Sequence, residues 1–178
     1  MDLAPVTFRP IGIVHSEHRS ERHTPIQPVC AEGCSGRVEI LDEYADGLED
    51  IEGFSHIHLL YHLGRAGPAR LKAVPFLDDL PRGIFATRSP WRPNALGLSL
   101  VRLVRREGVT LFIDEVDILD GTPLLDIKPY VARFDARERA RCGWTDEVDA
   151  RTFAERGSRE GPLLPEPDQR HAPPAAGC

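Results

Sequence analysis

Apolar and polar residues alternate with a period of two through much of this chain. The pattern predicts strands over residues 6–16 (VTFRPIGIVHS), 36–41 (GRVEIL), 55–63 (SHIHLLYHL), 98–106 (LSLVRLVRR) and 109–118 (VTLFIDEVDI). Each run is short, rich in β-branched or leucine side chains, and bounded by Gly, Pro, Asp or Asn. Glu107-Gly108, between the last two runs, is a hairpin signal. Helical spacing is sparse: a short piece near residues 44–51, with better candidates at 135–141 and 145–156. Strands at this spacing make a mainly β protein, an antiparallel sheet closed into a barrel or packed as a sandwich, with a few short helices. From residue 157 onward the chain holds five prolines and few large apolar groups, which predicts a disordered tail over 157–178.

Composition fits one globular unit. The chain has 178 residues, 41% hydrophobic and 28% charged. No stretch approaches the roughly 18 apolar residues of a membrane span. Arg9 and Pro10 interrupt the apolar core that a signal peptide would need, so a cytoplasmic protein with no membrane partner is expected. Cys30, Cys34, Cys142 and Cys178 are too few and too irregular for a disulfide framework.

The net charge of −6 argues against a generic nucleic-acid binder, yet charge is segregated along the chain. Asp42, Glu43, Asp46, Glu49, Asp50 and Glu52 follow one another with no base between them. Arg82, Arg88, Arg92, Arg102, Arg105 and Arg106 follow with no acid between them. Such a stripe suits a polyanion, or else supplies ion pairs across a sheet. On a regular strand Arg102 and Arg106 share one face and Arg105 takes the other.

Four stretches can carry chemistry. In Pro25-Ile26-Gln27-Pro28-Val29 two prolines clamp a glutamine whose amide both donates and accepts. His56, His58 and His62 fall on one strand face, opposite Ile57, Leu59, Tyr61 and Leu63. Three imidazoles could bind zinc, but a metal face also needs convergent geometry and oriented supporting partners. Zinc therefore stands second to half-buried histidines serving the fold or a pocket, and no metal is assigned. In GIFATRSPWRPNALGLS, Pro90 and Pro93 fix the backbone around Arg88, Ser89 and Arg92. Asp120-Gly121-Thr122-Pro123 is a tight turn, after which Asp126 and Lys128 share one face of an extended segment.

Taken together, PIQP, FSHI, GIFATRSPWRPNALGLS and LDGTPLLDIKPY, in that order, closely resemble the TsaA/TrmO family. The resemblance covers roughly residues 8–130. It implies an S-adenosylmethionine-dependent methyltransferase acting on the N6 nitrogen of threonylcarbamoyl-adenosine beside the tRNA anticodon. It also implies a small β-barrel, residues 1–134 here, with the cofactor held near a homodimer interface and residues 135–156 as a helical extension. The absence of any G-x-G-x-x-G agrees that this is not a doubly wound nucleotide fold. By position the family's cofactor contacts fall on Gln27, Pro28 and Val29, on Leu63 and Gly64, on Arg88, on Leu98, and on Asp120, Gly121, Thr122 and Pro123. Arginine suits such a site because its planar fork pairs with a cofactor carboxylate or an RNA phosphate. Arg92, Arg102, Arg105 and Lys128 are the expected tRNA contacts, and Asp120 and Asp126 the candidate catalytic bases. Two other readings stay open: a noncatalytic S-adenosylmethionine-binding module, and a methyltransferase for another RNA or a small molecule.

The chain departs from the family in three places. Asn94-Ala95-Leu96-Gly97 stands where Asn-Pro-Ile-Gly is usual, and Leu63-Gly64 stands where an aromatic and a histidine are common. The second domain of larger bacterial members is replaced by the short extension and tail.

Overall fold

Six strands close into one antiparallel barrel in the computed structural model, which describes residues 4–157. They are β1 (Gly12–Ser16), β2 (Ser35–Ile40), β3 (His56–His62), β6 (Leu96–Glu107), β7 (Thr110–Asp114) and β8 (Thr122–Pro129), in the circular order β1-β2-β7-β6-β3-β8. Closure comes from β8 pairing back on β1, Gly12 opposite Leu124 and Val14 opposite Thr122. The barrel is thereby chosen over the sandwich. A two-residue pair, β4 (Lys72–Ala73) with β5 (Arg82–Gly83), stands apart in the long β3–β6 connection. Two short helices follow the barrel, α1 (Ala132–Asp135) and α2 (Ala150–Gly157).

Alternation builds the interior. Val14, Val38, Ile40, Ile57, Leu59, Tyr61, Val101, Leu103, Leu111, Ile113 and Leu124 all face inward and are buried, joined by Val116 and Ile118 from the loop after β7. At roughly 1.5–3 kcal/mol for each large apolar side chain removed from water, this layer supplies the main driving force for folding. On β3 the odd positions are buried and the histidines face out, as the sequence pattern predicts.

Several boundaries differ from expectation. Residues 6–11 are not strand; Pro10 lacks the donor a ladder position needs, and pairing begins at Gly12. The 109–118 run stops at Asp114 because Glu115 takes a left-handed φ of 64° and turns the chain. β8 runs through two prolines and two charged residues, a composition that reads as turn and extended loop rather than strand. The helix expected over 135–141 is instead the single turn Ala132–Asp135, and 145–156 divides into a 3-10 segment, Gly143–Glu147, and α2. The acidic run folds as 3-10 turn over Asp42–Leu48. Of the disordered tail expected over 157–178, Gly157 instead ends α2, and the rest lies outside the described residues.

The facial assignment of the β6 arginines is also corrected. Register runs Arg102 to Asp114 and Leu103 to Ile113, then jumps to Arg105 opposite Phe112. Val104 is bulged out with no partner, so the alternation shifts by one. Arg102 and Arg105 therefore share the outer face, and Arg106 is the one turned toward the barrel end, where it bonds the Leu48 carbonyl and Glu52.

Because neighbouring strands run in opposite directions, the ends of β1, β3 and β7 and the starts of β2, β6 and β8 lie on one rim. Loops 17–34, 63–95 and 115–121 all rise from that rim. The acidic segment at 42–52 and the β6–β7 hairpin sit on the other.

At the loop-bearing rim, Gly97 faces Tyr61 across the β3–β6 ladder. A Cβ there would lie 2.1 Å from the Tyr61 ring, which is 6% exposed and cannot swing away. Gly97→Ala should therefore lower stability by about 2–3 kcal/mol, the cost of overpacking a filled interior. Urea denaturation of the two proteins measures it, and a loss below half a kilocalorie would mean the ring has room to move.

Candidate active site

The shared rim brings together segments far apart in sequence. Pro25 and Pro28 are buried and anchor the loop between β1 and β2, leaving Gln27 half-buried between them. Gln27 Oε1 accepts a hydrogen bond from the Arg88 guanidinium, 61 residues on. The two proline-flanked motifs thus meet at one point.

Arg88 itself stands on a loop stiffened from within. Arg92 donates to the carbonyls of Ile84 (3.1 Å) and Thr87 (2.8 Å), and its guanidinium lies over Phe85. Arg92 is thus occupied in shaping the loop that presents Arg88. Arg70 stacks on Trp91, and its backbone N–H bonds the Trp91 carbonyl. Beside Arg88, the Ser89 hydroxyl is buried with no protein partner. Such a group is costly to leave unpaired and marks where a ligand acceptor or donor fits.

The third and fourth segments join from the neighbouring strands. Leu63 donates its N–H to the Ala95 carbonyl at the end of β3, and the next turn carries Gly64 and Arg65. Arg65 reaches the carbonyl of Asp120, which ties that turn to the 120–123 segment. Gly121 has φ +77°, a backbone state side chains disfavour, and its N–H bonds Val14. Leu98, by contrast, lies on the outer barrel wall near the rim and is exposed.

The two carboxylates expected as bases are differently placed. Asp120 is held by Arg19, by the Ser16 N–H at 3.2 Å and by His15 at 3.4 Å. Burial alone would raise its carboxyl, but the Ser16 N–H, Arg19 and His15 outweigh that and keep it below the ordinary carboxylate range. Such a group is a fixed anion, weakly basic. Asp126 lies four residues into β8 on the outer wall, paired with Lys128 at 2.9 Å.

A group that sequence reasoning missed sits between them. Asp117 accepts a hydrogen bond from Ser99, a serine only 1% exposed, and the Tyr61 hydroxyl lies 3.0 Å from the same Ser99 oxygen. With Ser99 donating to the carboxylate, Tyr61 donates to Ser99, and the proton chain runs Tyr61 to Ser99 to Asp117. Burial pushes the Asp117 carboxyl up to about 6, against the opposing pull of Ser99 and of Arg88. Burial, reinforced by the Asp117 charge, likewise raises the Tyr61 phenol and the Cys30 thiol. An acid with that affinity for protons, next to the Arg88–Gln27 pair, is suited to proton transfer near neutrality. The available signal was Asp-Glu-Val-Asp closing an apolar run, where an acid alternates into core positions.

Two further arginines expected to contact tRNA are paired with acids. Arg102 bridges to Asp114, and Arg105 bonds Glu107 at 2.8 Å while its guanidinium covers Phe112. The three histidines of β3 do not converge: residues spaced by two and six on one strand are about 7 and 20 Å apart, too far to share an ion. His56 and His58 instead contact the Tyr130 ring. The C-terminal extension returns to the site. Trp144 donates to the Ala86 carbonyl, Arg156 pairs with Asp79, and Gly157 packs against Cys30.

Fold and geometry together define a small β-barrel with polar loops gathered on one rim. The chain belongs to the tRNA-methyltransferase O N-terminal domain family, whose profile matches residues 13–136. It is 51% identical over 142 residues to a probable S-adenosyl-L-methionine-binding protein of Pyrococcus abyssi, spanning 80% of this chain and 77% of that one. It is 37% identical over 143 residues to the human tRNA (adenine(37)-N6)-methyltransferase, spanning 76% of this chain but only 32% of the human protein. The crystal structure of TrmO from Pseudomonas aeruginosa superimposes with a TM-score of 0.67 at 36% identity, over 79% of this chain and 63% of that one.

The raised Asp117 carboxyl makes stability pH-dependent in a definite direction. A folded-state value near 6 lies above the unfolded value near 4, so the group's stabilising contribution is complete below about pH 4 and is lost as pH rises through about 6. Asp117→Asn keeps the acceptor for Ser99 and removes the charge. Between pH 4 and pH 8 it should gain on the order of 2 kcal/mol relative to the native protein, read by urea denaturation at both pH values. A gap that does not widen with pH would show that the carboxyl titrates normally.

Proposed function

We propose that this chain binds S-adenosylmethionine at the loop-bearing rim and transfers its methyl group to the N6 nitrogen of threonylcarbamoyl-adenosine beside the anticodon of tRNA. The observation that carries the reading is the Gln27–Arg88 hydrogen bond, which joins two motifs at the rim where Leu63-Gly64 and Asp120 to Pro123 also emerge. The names of the relatives support both the cofactor and the methylated position.

In the transfer, the N6 lone pair attacks the methyl carbon and the carbon–sulfur bond breaks. The bonding pair stays on sulfur, giving S-adenosylhomocysteine, and the N6 proton leaves to a base. The nitrogen is a weak nucleophile because its lone pair is drawn into the purine ring and the carbamoyl group. In-line positioning and proton removal are therefore the main contributions open to the protein. Arg88 and the buried Ser89 hydroxyl are suited to hold the cofactor's carboxylate, while Asp120, fixed as an anion, anchors the turn that lines the pocket. Asp117 suits the proton acceptor better than Asp120 or Asp126, since it is neither held acidic by an arginine nor placed on the outer wall.

The relatives named as tRNA methyltransferases support tRNA as the partner. Arg19, Arg65, Arg70 and Arg88 lie in the rim loops, interspersed with acids such as Glu17, Asp78 and Asp79, while the base-free run from Asp42 to Glu52 lies at the opposite end. Arg102, Arg105 and Lys128 are each paired with a carboxylate that would compete with phosphate for them. A homodimer is supported by the apolar outer wall near the rim, where Leu96 and Leu98 are exposed beside Leu60 and Leu100. Light scattering at micromolar concentration with cofactor present should give twice the chain mass; a monomer there excludes a pocket shared between subunits.

The decisive test is nucleoside mass spectrometry of tRNA from cells lacking the protein. The methylated threonylcarbamoyl-adenosine should disappear, return with the native gene, and fail to return with Arg88→Ala. The same substitution should weaken S-adenosylmethionine binding at least tenfold by calorimetry. An unchanged nucleoside profile with intact cofactor binding would instead favour a binding module or another substrate.

A further inference from the structure

Beside the Asp120 turn, whose N–H bonds the His18 carbonyl at 2.9 Å, Glu17, His18 and Cys34 bring one donor atom each to within 4.8 Å of one another. His18 is 2% exposed and Cys34 3%, whereas Glu17 lies on the surface. The His18 ring is held by its Nε2, 2.7 Å from the Val116 carbonyl. A carbonyl only accepts, so the proton must sit on Nε2, and Nδ1 carries a bare lone pair. That Nδ1 is buried and has no hydrogen-bond partner. A buried acceptor left in this state is costly, and donation of the other ring N–H to a carbonyl, as His18 makes to Val116, is the arrangement that orients a metal-bound histidine.

The scaffold supports the same reading. Val116 bonds both elements at once, its carbonyl taking the His18 proton and its N–H donating to the Cys34 carbonyl at 3.0 Å. One residue of the β7–β8 loop therefore fixes, through its N–H and its carbonyl, the segments that carry two of the donors. We propose that Glu17, His18 and Cys34 form a zinc site that ties the end of β1 to the start of β2 beside the 115–121 loop. Nitrogen, thiolate and carboxylate together suit zinc better than the hard cations magnesium or calcium, which take oxygen donors. At zinc bond lengths of about 2.0–2.3 Å, donors in a tetrahedron stand about 3.4–3.8 Å apart. Loading thus draws the three donors together by up to about 1.4 Å, with water as fourth ligand on the open Glu17 side. The Cys34 thiol loses its proton to solvent as the zinc–sulfur bond forms. This site is separate from the β3 histidines and does not depend on what the pocket methylates.

Metal-free protein, prepared with a chelator and titrated with cobalt(II) as the probe, tests the assignment. One equivalent should produce a thiolate-to-cobalt charge-transfer absorption that zinc then displaces, and zinc should raise the melting temperature. Cys34→Ser should abolish the absorption, and Glu17→Gln, a surface change that leaves the fold intact, should weaken cobalt binding at least tenfold. A His56→Ala/His58→Ala variant should match the native protein. No thiolate band in the folded native chain, a band that survives Cys34→Ser, or one lost in the β3 variant would each overturn the proposal.

Discussion

The pairing of β8 back onto β1 is the contact on which the site depends. It spans only Gly12–Val14 against Thr122–Leu124, yet it converts an open sheet into a closed barrel. Closure removes both sheet edges and fixes which loops share a rim. Without it, Asp120-Gly121-Thr122-Pro123 would sit on a free edge, with no reason to face Gln27 or Arg88. The pairing also carries the turn inward, since the Gly121 N–H bonds Val14 and Asp120 takes the Ser16 N–H. A short stretch of backbone hydrogen bonding thus decides the geometry of a pocket built from three separate connections.

Within that geometry the electrostatics divide the carboxylates by role. Asp120 and Asp117 are three residues apart in one loop, but they meet opposite surroundings. Asp120 faces Arg19, His15 and a backbone N–H, so its charge is compensated and its proton affinity falls. Asp117 turns toward Ser99, Tyr61 and the barrel interior, so burial dominates and its proton affinity rises. Two groups of one chemical type are set apart in this way by their environments alone, the general means by which a fold separates a charged anchor from a proton acceptor.

Much of the barrel was legible because alternation is a direct consequence of a sheet with one wet and one dry face. The runs around Val38, Leu59, Val101 and Ile113 show it plainly. The bulge at Val104 was not legible, since nothing in Leu-Val-Arg-Arg marks which residue loses its partner, and one unpaired residue reverses the facing of all that follow. β8 was hidden by Pro123 and Pro129, which lie on a strand only because their missing donors fall at positions the ladder can spare. The motif residues Gln27 and Arg88 were visible as stiffened loops, while their meeting across 61 residues is a property of barrel topology. Asp117 escaped notice because a carboxylate at the end of an apolar run reads as a strand terminus; its burial is evident only once Tyr61 and Ser99 close over it.

The segment after the barrel steadies the rim loops. α2 and the 3-10 segment before it expose most of their surface, and isolated helices of this length are not stable in water. Their order comes from contacts with the rim: Trp144 on Ala86, Arg82 over the Trp144 ring, Arg156 on Asp79 and Gly157 against Cys30. The residues they hold, from Asp78 to Ala86, lead directly into Thr87 and Arg88. Fixing that connection reduces the conformational entropy that ligand binding would otherwise have to remove from the arginine loop. Residues 143–157 thus brace the arginine loop, and the carbonyl that anchors Trp144 falls two residues before the arginine they steady.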